Sequence, residues 1–206
     1  MRSFFHSLRI YRHASNQLMM LWLRRDLQLL AGRDTAVDAG CGRFINRPSF
    51  KARRYVGVDN VQENIEYGRR LYPDATGHVG SILTPLPEQG DVVVCTLVLN
   101  NKRFPHDRTL EGVGNLIGAV RPGGDLLFTM GQVNAPFEAA VDALLAPCFA
   151  RVEKRVYGRF NISTYLSYPL AWLMDAFPAL RTDPKNRMLY YHAAAKKTGS
   201  THQAQP

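Results

Sequence analysis

Thr35-Ala-Val-Asp-Ala-Gly-Cys-Gly42 reads as a short strand that runs straight into a glycine turn. Arg54-Tyr-Val-Gly-Val-Asp59 reads as a second strand that ends in an acid, and Asp59 stands 21 positions after Asp38. Gly40 and Gly42 remove side chains where the chain turns, so backbone can approach a ligand closely. An acid at the end of the second strand can accept both hydroxyls of a ribose as charge-assisted hydrogen bonds. Glycine turn and acid together predict a ligand that contains adenosine.

Outward from this pair the chain alternates. Asn60 is placed to cap a helix that runs through Leu71, with Glu63 three residues on and Pro73 beyond its end. Ala75 to Ser81 reads as a weak strand, and Asp91 to Leu99 as a strong one, apolar throughout as a strand covered on both faces should be. Asp107 to Val120 reads as a helix closed by Arg121-Pro-Gly-Gly124, followed by a strand from Asp125 to Met130. A helix over Ala135–Leu145, a strand over Arg151–Gly158, a short helix over Leu170–Phe177 and a last strand over Met188–Lys197 complete the series. Before the glycine turn, residues 3–31 carry apolar groups at helical spacing and stop at Gly32. The expected organisation is a basic helical extension (1–32), one α/β domain (33–197) and a polar tail (198–206). Strands alternating with helices imply a doubly wound, mostly parallel sheet.

Composition sets the outer bounds. With 206 residues, 46% hydrophobic and 21% charged, the chain suits one globular domain and not a disordered or fibrous one. No stretch reaches the ~18 apolar residues of a membrane span. Cys41, Cys95 and Cys148 are odd in number and widely spaced, which argues against a disulfide framework or zinc site and fits a reducing, cytoplasmic setting. The net charge of +9 is lopsided: residues 1–54 hold eleven Lys/Arg against three Asp/Glu, the rest fifteen against fourteen. The basic N-terminal quarter suggests an anionic partner, and a peripheral attachment to an anionic membrane is the expectation.

A dinucleotide site wants G-x-G-x-x-G, with backbone amides on a pyrophosphate. Here Gly40-Cys-Gly-Arg-Phe-Ile45 lacks the third glycine, and Asp38 would repel a pyrophosphate while welcoming an amino group. S-adenosylmethionine has a ribose, an α-amino group and a sulfonium, and no phosphate. The order of segments resembles the class I S-adenosylmethionine-dependent methyltransferases, from about Thr35 to Met130 and more weakly to Lys197. Val37–Gly42 is similar to the family's first motif and Tyr55–Asp59 to its second. His78-Val-Gly-Ser81 with Pro85-Leu-Pro87 is similar to the region beside the adenine, Asp91–Cys95 to the fourth strand, and Arg121–Gly124 to the turn before the fifth. The resemblance implies a seven-stranded sheet with its last strand antiparallel. It also implies a cofactor site made by Asp38, Gly40, Cys41, Gly42, Asp59, Asn60, Gly80 and Ser81, with no metal. The chain departs from the pattern at Phe44, where a third glycine is common, and at Pro48, where a regular helix is usual. The turn after the first strand should therefore be longer and less helical. Ser81 stands where the family often has an acid.

The segment after the fourth strand bears on the methyl acceptor. Leu99-Asn-Asn-Lys-Arg-Phe-Pro105 lacks the D/N-P-P-Y/F turn of adenine-amino methyltransferases, so nucleic acid is not the expected partner. A hydroxyl acceptor needs a general base, and His106 is the candidate. Asp107 capping the next helix is the plainer role for this pair. Tyr165, Tyr168, Trp172 and Phe177 supply aromatic surface suited to a small-molecule, glycan or lipid-linked acceptor. Two rivals stand beside that expectation: a catalytically silent module that binds S-adenosylmethionine, and an RNA methyltransferase suggested by the basic N-terminal quarter.

Overall fold

The computed structural model describes residues 14–100, 105–131, 134–158, 167–181 and 187–199, without the side chains of His106, Ser167, Tyr168 and Arg181. The elements are α1 (Ala14–Leu29), β1 (Thr35–Ala39), a 3-10 turn (Arg47–Ser49), β2 (Arg54–Asp59), α2 (Gln62–Leu71), β3 (Thr76–Val79), β4 (Gly90–Asn100), α3 (His106–Ala119), β5 (Val120–Gly131), α4 (Ala135–Leu145), β6 (Phe149–Gly158), α5 (Ser167–Ala176), a second 3-10 turn (Pro178–Arg181) and β7 (Arg187–Lys196). The strands form one seven-stranded sheet in the order β3-β2-β1-β4-β5-β7-β6. β1 to β5 run parallel, and β7 is antiparallel to both β5 and β6. This is the doubly wound arrangement with a reversed last strand that the sequence predicts.

Alternate strand residues face opposite layers, as the two-residue period of a strand demands. Val37, Val56, Val93, Leu126 and Tyr191 pack with α3 and α4 on one face. Ala36, Tyr55, Val94, Leu127 and Tyr190 pack with α1 and α5 on the other. α1 buries Leu18, Met19, Met20, Trp22, Leu23 and Leu27 in this second layer, which makes the helix part of the core. Residues 3–13 of the predicted N-terminal helix lie outside the described residues.

A polar clasp fixes α1 to the sheet. Asp26 is buried and accepts two hydrogen bonds from the Arg155 guanidinium, at 3.3 and 3.2 Å, and one from the Tyr190 hydroxyl at 2.8 Å. His192 lies between Asp26 and Asp125, 3.8 and 3.3 Å from their carboxylates. Beside it on α1, the Trp22 indole N–H and Arg25 both reach Asp175 of α5.

Three local expectations are corrected. Asp107 does not cap α3: the N-cap position is Pro105, which offers no side-chain cap, and Asp107 lies within the first turn. Asn60 does not cap α2: the N-cap position is Val61, which offers no side-chain cap. The Asp59 carboxylate instead accepts from the Val61 N–H at 3.0 Å and the Asn64 amide at 3.1 Å, doing from one residue earlier what a cap would do. The Arg121–Gly124 turn does not stand outside the fifth strand. Val120 already pairs with Gly90, and the register then shifts before Asp125 joins Val92.

Candidate cofactor and active site

β1 delivers Ala39 to the carboxyl edge of the sheet, and the chain then turns in the left-handed region at Gly40 (φ 74°) and Gly42 (φ 52°). The turn is pinned by the Gly40 and Cys41 N–H groups, which both donate to the Val58 carbonyl, at 2.7 and 3.0 Å. A Cβ on Gly40 would fall 2.2 Å from Val98, a separation no side chain can occupy. Gly40 is therefore required both by its backbone conformation and by the close approach of β4.

Phe44 fills the place of the absent third glycine. It is fully buried, in the left-handed region at φ 59°. A Cβ added to Gly57, Gly68 or Gly77 would meet its ring at 2.6, 2.5 or 2.9 Å. Three glycines from β2, α2 and β3 thus form a socket for one aromatic ring. No α-helix follows β1; turns lead into the 3-10 segment around Pro48, in agreement with the expected longer and less helical connection. The Phe44 ring meets Tyr55 edge-on at 5.4 Å. Tyr55 in turn donates its hydroxyl proton to Asp38 at 2.8 Å.

A cleft of about 390 Å³ opens beside this turn, at the carboxyl ends of β1, β2 and β4. Its wall includes Gly40, Cys41, Gly42, Asp59, Asn60, Gly80 and Ser81. Asp38 lies one layer behind, fully buried, with Asn46 between it and the cleft. The Asn46 amide is 3.5 Å from Asp38 and 3.1 Å from the Thr96 hydroxyl. Burial pushes the Asp38 carboxyl up to about 7, against the lowering pull of its hydrogen bonds from Tyr55 and Asn46. Burial also raises the Cys41 thiol, with Asp38 and Asp59 adding to the effect, so Cys41 is a neutral wall residue rather than a thiolate.

Asp59 has the other disposition. Its Oδ2 accepts the Gly42 N–H at 2.9 Å, and its Oδ1 accepts the two bonds from Val61 and Asn64. Three bonds leave part of a carboxylate's acceptor capacity free at the cleft wall, enough to take a ribose hydroxyl. The Ser81 hydroxyl accepts the Leu83 N–H at 3.1 Å and retains its own proton to donate. Asn115 holds the same loop through the Ile82 carbonyl at 2.9 Å.

Asn46, Asn64, Thr96, Leu97, Val98, Ile45 and Ile82 also line the cleft and were not expected from the sequence. Leu97 is in the left-handed region at φ 61°, with its N–H on the Thr129 hydroxyl at 2.8 Å. The β4–β5 register breaks between Cys95 and Leu99 around it. A bulge here aims Thr96 and Val98 at the cleft, a common device beside active sites. Asn64, one turn into α2 from the acid, was the most legible of these. His106 opens α3 six positions after the end of β4, and its side chain lies outside what the structure describes. Residues 101–104, Phe160 and Tyr165 lie outside it too. Arg43 stacks over Tyr67 at 4.9 Å, and Arg47 pairs with Asp74, so both basic residues of the turn have partners on the protein.

No protein-family model matches the sequence, and no curated protein matches it. Solved structures do. The N-methyltransferase NodS from Bradyrhizobium japonicum WM9, in complex with S-adenosyl-L-homocysteine, is similar with a TM-score of 0.61 at 14% identity, over 87% of each chain. A geranyl diphosphate methyltransferase in complex with S-adenosylmethionine has a TM-score of 0.58 at 17% identity, over 87% of this chain and 85% of that one. The plantazolicin methyltransferase BpumL, in complex with S-adenosylhomocysteine, has a TM-score of 0.55 at 13% identity, over 94% and 89%. With the strand order and the reversed seventh strand, these likenesses define the class I S-adenosylmethionine-dependent methyltransferase fold.

Proposed function

We propose that the chain binds S-adenosylmethionine and transfers its methyl group to a hydroxyl of a small molecule, a glycan or a lipid-linked intermediate. One observation carries the cofactor: the described wall of the cleft contains the Asp59 carboxylate and no Lys or Arg. Such a wall suits a cationic, ribose-bearing ligand and disfavours a pyrophosphate. The relatives of like fold bound to S-adenosylmethionine or its demethylated product support the same reading.

When bound, the cofactor supplies an activated methyl group and its own leaving group. The protein then has to align, dry and deprotonate. Asp59 orients the ribose, held rigid by the Gly42, Val61 and Asn64 donors. The glycine turn lets backbone lie against the ligand. Asp38, behind Asn46, places a titratable carboxyl near the amino-acid end of the turn. Ile45, Ile82, Leu97 and Val98 exclude water. His106 takes the proton from the acceptor hydroxyl on an imidazole nitrogen, from its place just beyond β4. The basic residues of the first 54 positions favour an acceptor or surface that is anionic.

Titration calorimetry with S-adenosylhomocysteine tests the cofactor reading. Asp59→Ala removes charge-assisted hydrogen bonds of roughly 1.5–3 kcal/mol and should weaken binding about ten- to a hundredfold. Unchanged affinity in a folded variant would refute the assignment. An acceptor screen with labelled cofactor then separates an enzyme from a silent binding module. With an acceptor in hand, His106→Ala should lower turnover by about 10²–10⁴ while sparing cofactor affinity, and His106→Gln should fail to rescue it. A loss below about tenfold removes His106 as the base.

A further inference from the structure

Asp59 divides the cleft into two arms. The sheet order places the carboxyl end of β2 between that of β3 on one side and those of β1 and β4 on the other. On the β1–β4 side lie Asn46 and Thr96, with the buried Asp38 carboxyl behind them. On the β3 side the wall is Gly80, Ser81 and Ile82, none of them charged. The two arms of a ribose-centred ligand are chemically unlike. An amino-acid arm that carries an ammonium group is drawn to the side that holds a carboxyl, which leaves the flat base to the loop after β3.

Hydrogen bonds within the protein decide what that loop can offer. The Ser81 carbonyl accepts twice from Thr84, from its N–H at 3.3 Å and from its hydroxyl at 3.0 Å. The Ile82 carbonyl accepts from the Asn115 amide, and the Ser81 Oγ accepts from the Leu83 N–H. The Gly80 N–H donates to the Asp59 carbonyl at 3.0 Å, which ties the start of the loop to β2. The acceptors of Ser81 and Ile82 are thus engaged in holding the loop, and two donors are left. The Ser81 hydroxyl keeps its proton, and the Ile82 N–H has no acceptor among the described residues. Adenine offers lone pairs at its ring nitrogens and donates only from its 6-amino group.

We propose that the Ser81–Ile82 loop holds the base through its ring nitrogens, by donation, and leaves the 6-amino group unread. The inference rests on the S-adenosylmethionine reading of the cleft and names the part of the base that the cleft recognises. A carboxylate at position 81 would do the reverse. It has no proton to give, and it would accept from the amino group in a charge-assisted bond. Serine makes the cleft tolerant at one edge of the base.

Titration calorimetry of the full chain compares S-adenosylhomocysteine with its purine riboside counterpart, in which hydrogen replaces the 6-amino group. The two affinities should agree within about threefold. Ser81→Ala should weaken both ligands alike, by about two- to tenfold, since the lost donor served a ring nitrogen that both carry. Ser81→Asp keeps an oxygen for the Leu83 N–H, because Asp and Ser side chains make the same local turn. It should convert indifference into a preference of at least about tenfold for the amino-bearing ligand. The proposal is overturned if the parent prefers S-adenosylhomocysteine by more than about threefold, which would hand the amino group to another acceptor of the wall, such as Asn60. It is equally overturned if Ser81→Ala, folded by circular dichroism, binds both ligands as tightly as the parent, or if a folded Ser81→Asp gains no preference. A parent that binds neither ligand is a different result, and rejects the cofactor reading itself.

Discussion

Phe44 shows how a single position departs from the glycine pattern common in this fold without loss of the fold. A glycine there would relieve the left-handed backbone; the phenylalanine instead fills a socket of three glycines. Phe44→Ala should destabilise the protein by about 3–5 kcal/mol, through lost burial and a cavity. Phe44→Gly should cost about 1 kcal/mol less than Phe44→Ala, because glycine alone is at ease at this φ. Urea unfolding decides the order, which is the reverse of what propensity predicts for an ordinary buried site. Asp38 makes a second prediction. Its carboxyl is raised from 3.8 to about 7 in the folded chain. The folded state therefore holds a proton that the unfolded state has lost. That contribution to stability is complete below about pH 4 and disappears as pH rises through 7. Asp38→Asn should flatten the profile and exceed the parent above pH 8, by at most about 4 kcal/mol. Unfolding midpoints that run parallel from pH 4 to 8 would contradict this.

Among the helices and strands, the sequence disclosed what periodicity and turn chemistry encode. The helix over Ala135–Leu145 has the predicted bounds, with Pro136 in its first turn and an Asn134 cap accepting the Phe137 N–H at 2.9 Å. The apolar β4 was legible because a strand covered on both faces reads as an apolar run. Gly40, Gly42 and Asp59 were legible as cleft residues because a glycine turn closing one strand and an acid closing the next mark the carboxyl edge of such a sheet. The bulge at Leu97 was not, because a leucine in the left-handed region carries no local signal. Nor was Asp26, an acid within an apolar helix whose partners stand 129 and 164 positions away. Substitution tests how much that acid holds. Asp26→Ala leaves the Tyr190 hydroxyl and the Arg155 guanidinium without their acceptor. Since Arg155 is 29% exposed, the loss should fall near the lower end for a broken buried pair, about 3 kcal/mol. Asp26→Asn, which retains an acceptor for Tyr190, should lose less. Denaturant unfolding compares them, and a loss under about 1 kcal/mol for Asp26→Ala would show that the clasp does not hold the helix.

For the molecule as a whole, the described cleft is built by residues 40–98, while β5 to β7 complete the sheet and support α1. The half that builds the cleft could be read from short motifs because its contacts are close in sequence. The clasp between α1 and the distant β6, β7 and α5 could not, since nothing in an isolated segment says which other segment will cover it. That clasp also has a consequence in time. The helix bearing Trp22 leaves the ribosome well before Asp175, which accepts its indole proton and comes 153 residues later. At ~5–20 residues per second, roughly 8–30 s pass before the cover exists. During that interval the apolar side of the nascent helix has only transient company, and a chaperone has its clearest opportunity to bind.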